Sequence, residues 1–166
     1  MSRVMPRVSP LLLLSAALAL SGCGKSEEKH AAAKPIEKAI YMSVADCAEG
    51  GKLSDEACTI LIDRAVKAHE ATAPTFKGLR SCEEASGADR CEKDVTGAYR
   101  MRLQAFMFEI GGPQPIVSAL YPSIEGKIGF RDAKKKSVDA RDDNLTVSQG
   151  SLTVAYENAK IGKKGR

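Results

Sequence analysis

The chain contains no tryptophan, and its 166 residues include only four phenylalanines and four tyrosines. Large anchors for a core are scarce, and a small domain with so thin a core is marginal without covalent staples. Histidine occurs only at His30 and His69. Neither sits at ligand spacing from a cysteine pair, no two cysteines have C-x-x-C spacing, and two histidines so placed assemble no Ser-His-Asp set. There is no glycine-rich phosphate loop, and Gly111-Gly112-Pro113 reads as a helix stop. Asp142-Asp143-Asn144 lacks the glycine and terminal glutamate of a calcium loop. No catalytic residue, metal ligand or cofactor is therefore assigned. The expected class is non-catalytic, with an enzyme or enzyme accessory subunit of envelope metabolism as the alternative.

Neither sign of charge dominates. The formal net charge of +4 does not suggest nucleic-acid binding. Its distribution is uneven: Ile36 to Ile110 is net acidic, and the segment after Gly126 is the basic part. Lys134-Lys135-Lys136 and Lys163-Lys164 are expected to make at most weak contact with anionic lipid headgroups. Asp132, Asp139, Asp142 and Asp143 lie among them and cancel part of their field.

No apolar run reaches the about 20 residues that span a bilayer. What is present is shorter. Arg3 and Arg7 precede an apolar stretch from Leu11 to Leu20, the layout of a signal-peptide core. It ends in Leu20-Ser21-Gly22-Cys23, which matches the bacterial lipobox: a branched apolar residue, two small residues, then a cysteine. The thiol of Cys23 takes a diacylglyceryl group, and cleavage before it frees an amine for a further acyl chain. Two or three chains anchor firmly where one binds marginally. Residues 1–22 are thus expected to be a lipoprotein signal peptide. Gly24, in place of a retention aspartate, favours the outer membrane with the protein facing the periplasm.

Residues 23–35 are polar and low in complexity, and read as a lipidated flexible tether. A disulfide-stapled helical domain is expected over 36–112. Its clearest helix runs from Ser54 to Thr72, with Ser54 as N-cap, Asp55 and Glu56 in the first turn, and Ala57, Leu61, Ala65 and Ala68 on one face. Shorter helices are expected at Ser43 to Ala48, where Ser43 and Asp46 have capping-box spacing, and at Gly78 to Ala85. Glu83 and Glu84 follow that helix start, which the dipole alone explains. Tyr99, Leu103, Phe106, Met107 and Ile110 predict a further helix from Val95 to Ile110. Residues 113–166 read as an irregular basic region, with a weak hairpin between Leu145 and Tyr156. The expected class is mainly α. His69 lies near the apolar edge of the Cys58 helix and reads as a half-buried structural histidine.

With Cys23 lipidated, Cys47, Cys58, Cys82 and Cys91 remain, an even number in an exported chain, which implies disulfides. Tyr41-x-Ser43-x-x-Asp46-Cys47, a glycine turn and Cys58 resemble Phe76-x-Gly78-x-x-Ser81-Cys82, a glycine turn and Cys91. A duplicated local unit is most simply closed by its own bridge, which gives Cys47–Cys58 and Cys82–Cys91. The nested alternative joins Cys47 to Cys91 and Cys58 to Cys82.

The first of these motifs, the Cys58 helix, Thr72-Ala73-Pro74-x-Phe76 and Cys82-Glu83-x-x-x-Gly87-x-x-x-Cys91 together resemble the YgiB-like bacterial lipoproteins, a family of unknown function in the Gram-negative envelope. The resemblance covers Tyr41 to Glu92 and, more loosely, Pro115 to Phe130. It implies an envelope location and an unidentified envelope protein partner, and it transfers no catalytic residue. The Met-, Pro- and Gly-rich stretch usual after the second cysteine pair is replaced here by Tyr99 to Phe106.

Overall fold

The computed structural model describes residues 34–124 and 126–164, with side chains to residue 160. The expected signal peptide, Cys23, His30 and most of the tether lie outside the described residues. Among those described, no helix is long and apolar enough to cross a membrane.

The architecture is mixed rather than mainly α. Strand β1 (Glu37–Tyr41) is followed by helices α1 (Val44–Glu49) and α2 (Asp55–Thr72), strand β2 (Thr75–Phe76) and helix α3 (Leu79–Ser86). Strands β3 (Cys91–Lys93), β4 (Tyr99–Met101), β5 (Ala105–Ile110), β6 (Ile116–Pro122), β7 (Gly129–Arg131), β8 (Ser137–Asp139) and β9 (Leu145–Val147) then precede the last helix, α4 (Gln149–Lys164). A six-stranded sheet has the order β8-β7-β6-β5-β1-β9, and a three-stranded sheet the order β2-β4-β3. β1 lies inside the larger sheet, antiparallel to β5 with Glu37 opposite Ile110, and parallel to β9 with Lys38 opposite Leu145.

The helices expected from local signals form. Ser54 Oγ accepts from Ala57 N–H at the start of α2. Ser43 caps α1 by accepting from Asp46 N–H. The reciprocal half of that capping box is displaced: the Asp46 carboxylate accepts from Met42 N–H at 2.8 Å and from the Ser148 hydroxyl at 2.6 Å. One carboxylate thus ties the start of α1 to the start of α4, where Ser148 Oγ also accepts from Ser151 N–H.

The remaining expectations are corrected. The segment read as a helix from Val95 to Ile110 is β4 and β5. β5 is packed on both faces: Phe106 and Phe108 join Tyr41, Cys47, Cys58, Leu61 and Ala65, while Ala105 joins Ile40, Leu120, Phe130 and Ala155. A strand covered on both sides carries apolar residues consecutively, and its spacing imitates a helix. The region 113–166, expected to be irregular, supplies four strands and α4. The expected hairpin at Leu145–Tyr156 is β9 followed by α4. The buried positions of α4 are Ser151, Ala155, Asn158 and Ala159, spaced i, i+4, i+7 and i+8. Small side chains let the helix lie close on the sheet. Gly111-Gly112-Pro113 lies in the β5–β6 connection and stops no helix. Gly111 has φ +109°, and a Cβ there would meet the Pro35 carbonyl. The expected division after residue 112 falls within this connection, between two strands of one sheet.

Candidate functional site

The disulfides are local. Cys47–Cys58 joins α1 to α2, and Cys82–Cys91 joins α3 to β3, with Cα–Cα distances of 6.0 and 6.2 Å. This is the pairing expected from the repeat, and the nested alternative is not formed. Both bridges are buried, so these sulfurs are structural. Among the described residues no group of three or more His, Cys, Asp or Glu is placed to hold a metal ion.

His69 is fully rather than half buried, at 3% exposure. Its Nδ1 is 2.9 Å from Tyr121 Oη on β6, and its Nε2 is 3.6 Å from Glu92 Oε1 on β3. Arg100 Nε donates to the same Glu92 oxygen at 3.1 Å. The chain of groups therefore runs from β6 through α2 to the small sheet. Burial, then the neighbouring Arg100 charge, hold His69 below its ordinary pKa, and the Glu92 carboxylate opposes them. Burial also raises the Tyr121 hydroxyl. A neutral imidazole with its proton on Nε2, facing Glu92, leaves Nδ1 to accept from the Tyr121 O–H. The arrangement clamps α2 to both sheets.

A second polar region centres on arginines that sequence reasoning missed. Arg90 and Arg131 are each 2% exposed. Arg90 donates from Nη1 to Asn158 Oδ1 at 2.7 Å and from Nη2 to Asn158 O at 2.9 Å. Asn158 Nδ2 donates to Gln104 Oε1 at 2.8 Å and to Gly129 O at 3.0 Å. Arg131 Nη2 donates to Ser86 O and lies 3.3 Å from Met101 Sδ. Nothing in the sequence flags these cations, because an arginine in a loop, as Arg90 is, or in a short strand, as Arg131 is, ordinarily reads as solvent-facing.

One end of the domain carries an apolar surface feature. A cleft of about 450 Å³ is lined by Ile36, Glu109, Gly112, Pro113, Gln114 and Ile116. A second, of about 340 Å³, is bounded by Ile60, Leu61, Arg64, Gln114 and Pro115. Gln114 borders both, so the β5–β6 connection divides one apolar end of the domain. Ile36, Ile60 and Ile116 are more than half exposed there. The chain enters the domain at this end, because Pro35 packs under Gly111.

The other residues weighed from sequence are dispersed. Glu84 pairs with Arg80, and Glu83 accepts from Asp89 N–H. Asp142 accepts from the Asn144 backbone and side chain in a turn. Lys134 to Lys136 lie in the β7–β8 turn, and Lys163 and Lys164 are at the end of α4.

The family described as Protein of unknown function (DUF1190) matches residues 35–113. A curated relative, the UPF0441 protein of Serratia proteamaculans (strain 568), is 31% identical over 86 residues, which is 51% of this chain and 36% of the relative. The chain therefore spans about a third of the length of the curated relative it matches. No solved structure matches the chain. The matched segment opens at β1, contains both disulfides and closes in the β5–β6 connection, and over it the chain is similar to the YgiB-like proteins of unknown function.

Proposed function

We propose that this protein is a non-catalytic lipoprotein of the bacterial cell envelope, held by acyl chains on Cys23 and docking a second envelope protein through the apolar end of its sheet. The observation that carries the docking reading is the divided apolar cleft around Ile36, Ile60 and Ile116. Exposed apolar area rimmed by charge, here Glu109 and Arg64, is characteristic of interaction surfaces. The lipobox at Cys23 supports the anchor, and Gly24 supports an outer-membrane, periplasm-facing location. The lysines of the β7–β8 turn add a weak attraction to anionic headgroups that salt screens.

Two measurements test this reading. Mass spectrometry of the mature N-terminus is expected to find Cys23 carrying diacylglycerol and an acyl chain, and Cys23→Ala to yield an uncleaved or soluble form. A photo-crosslinking residue at position 116, with the exposed position 95 between β3 and β4 as control, is expected to capture one protein of defined mass from intact cells. Labelling of lipid alone, or identical adducts from both positions, would refute the docking reading.

A further inference from the structure

Asparagine occurs twice in the chain, at Asn144 and Asn158. Asn158 is buried in the Arg90 network. Asn144 is the opposite case: it is exposed, in the turn that leads into β9. The chain around it reads Asp142-Asp143-Asn144-Leu145-Thr146. Asn-x-Ser/Thr, with x other than proline, is the acceptor pattern for N-glycosylation and belongs on the surface of an exported chain. Bacterial oligosaccharyltransferases further select an acid two residues before the asparagine, which Asp142 supplies. Asn158, with Lys160 two residues on, lacks the pattern.

The fold presents each part of this pattern outward. Asp142, Asn144 and Thr146 are all exposed. Leu145 and Val147 pack towards the core, and successive strand residues face opposite ways, so Thr146 points away from it. β9 is the edge strand of the six-stranded sheet, paired with β1 alone among the described strands. The Asp142 carboxylate accepts from Asn144 N–H at 2.9 Å and from Asn144 Nδ2 at 2.8 Å. These bonds, the backbone one foremost, hold the Asp142 carboxyl below its ordinary pKa, so it is ionised at neutral pH. The neighbouring cation, Arg141, is engaged by Asp139. Leu145 N–H donates to Asp142 O at 2.9 Å and closes the turn. The turn thus holds acid and carboxamide side by side at the surface without burying either. Exposed hydrogen bonds of this kind exchange readily for bonds to another partner, because water can solvate both ends in between.

We propose that Asn144 is an acceptor site for N-linked glycosylation, with Asp142 and Thr146 as the residues a transferase recognises beside it. This rests on the periplasm-facing location proposed above, where bacterial transferases act. The donor class is an oligosaccharide carried on a polyprenyl pyrophosphate. The Asn144 carboxamide nitrogen attacks the anomeric carbon of the first sugar. The N–C bond forms, the C–O bond to pyrophosphate breaks, and the polyprenyl pyrophosphate leaves with the bonding pair. The nitrogen gives up one proton to a base of the transferase. A glycan rooted at Asn144 stands beside the open edge of β9, where a bulky hydrophilic group opposes pairing with a strand of another chain.

The full chain, produced in a bacterial host that carries a periplasmic oligosaccharyltransferase and its lipid-linked donor, tests the proposal by mass spectrometry. One glycan is expected, on the tryptic peptide from Asp142 to Lys160, and none in a host without the transferase. Asn144→Gln and Thr146→Val should abolish it, Thr146→Ser should keep it, and Asp142→Ala should lose most of it. Mapping of the Cys47–Cys58 and Cys82–Cys91 bridges in each variant checks that the fold is kept. Export is read separately, from those bridges and from cleavage before Cys23. A chain that is exported and bare at Asn144 overturns the proposal, as does a glycan that survives Asn144→Gln. For a chain that is not exported, purified full chain is incubated in detergent with purified transferase and donor. A glycan on Asn144 there upholds the acceptor site while the periplasmic location fails, and a bare chain there overturns the site as well.

Discussion

Asn158 is the place to test whether α4, which lies beyond the segment matched to the family, is an integral part of the domain. Its side chain is 1% exposed and makes three hydrogen bonds: one from Arg90, one to Gln104 and one to Gly129 O. These reach the loop before β3, the start of β5 and the start of β7. Asn158→Ala removes all three and leaves Arg90 with only the Asn158 backbone carbonyl. A hydrogen bond to a charged group contributes about 1.5–3 kcal/mol and a neutral one about 0.5–1.5, so the expected loss is about 4 kcal/mol. Asn158→Asp keeps an acceptor for Arg90 but loses both donors, and is expected to cost less. Urea unfolding of the full chain followed by far-ultraviolet circular dichroism measures each loss by linear extrapolation. A cycle with Arg90→Met isolates the Arg90–Asn158 coupling, expected at about 2 kcal/mol within the range for directly contacting pairs. A loss below about 1 kcal/mol for Asn158→Ala would refute the reasoning and make α4 a loosely held appendage.

Removing the Cys47–Cys58 bridge as a paired alanine variant is expected to cost about 2.8 kcal/mol and removing Cys82–Cys91 about 2.6, from loop separations of 11 and 9 residues in the chain-entropy model; urea midpoints under oxidising conditions check both. His69 has its folded-state pKa lowered from the ordinary 6.5, so the unfolded chain binds its proton first as pH falls. Its contribution is fully present above about pH 6.5 and shrinks as the pH drops from there towards the folded value. Stability measured between pH 8 and 5 should show this slope, and His69→Gln should flatten it. Gly129 has φ +142°, and a Cβ there would meet the Val138 carbonyl across the β7–β8 ladder. Gly129→Ala should therefore cost at least about 1–3 kcal/mol from backbone strain alone, read as a fall in urea midpoint.

The parts of the fold legible in sequence were those specified locally. Ser43 and Ser54 announce helix starts, Pro74 closes α2, and the repeated Cys47/Cys58 and Cys82/Cys91 units give the pairing. The strands were not legible for a physical reason. β5 reads Ala-Phe-Met-Phe-Glu-Ile because α2 lies over one face and α4 over the other, so the two-residue alternation that marks a half-exposed strand is absent. Helix α4 was hidden for the opposite reason. Its buried stripe of Ser151, Ala155, Asn158 and Ala159 is only weakly apolar, while Leu152 and Val154, half-buried against the core, and the exposed Tyr156 imitate strand alternation. The buried arginines left no trace, since only tertiary placement distinguishes them from surface cations.

The interior position of β1 sets a timetable for making the protein. Its neighbours in the sheet are β5 and β9, so Glu37 waits for Ile110 and Lys38 waits for Leu145. The two disulfides need only a dozen residues or fewer of chain and can close as soon as those cysteines meet an oxidant. During synthesis from the N-terminus, the cysteines of α1–α2 and α3–β3 are therefore all present before β5, while the first strand waits for β5 on one side and for β9 on the other. A chain stopped before Val147 would be correctly bridged yet present an open strand edge at Ile40, an invitation to pair with another unfinished copy.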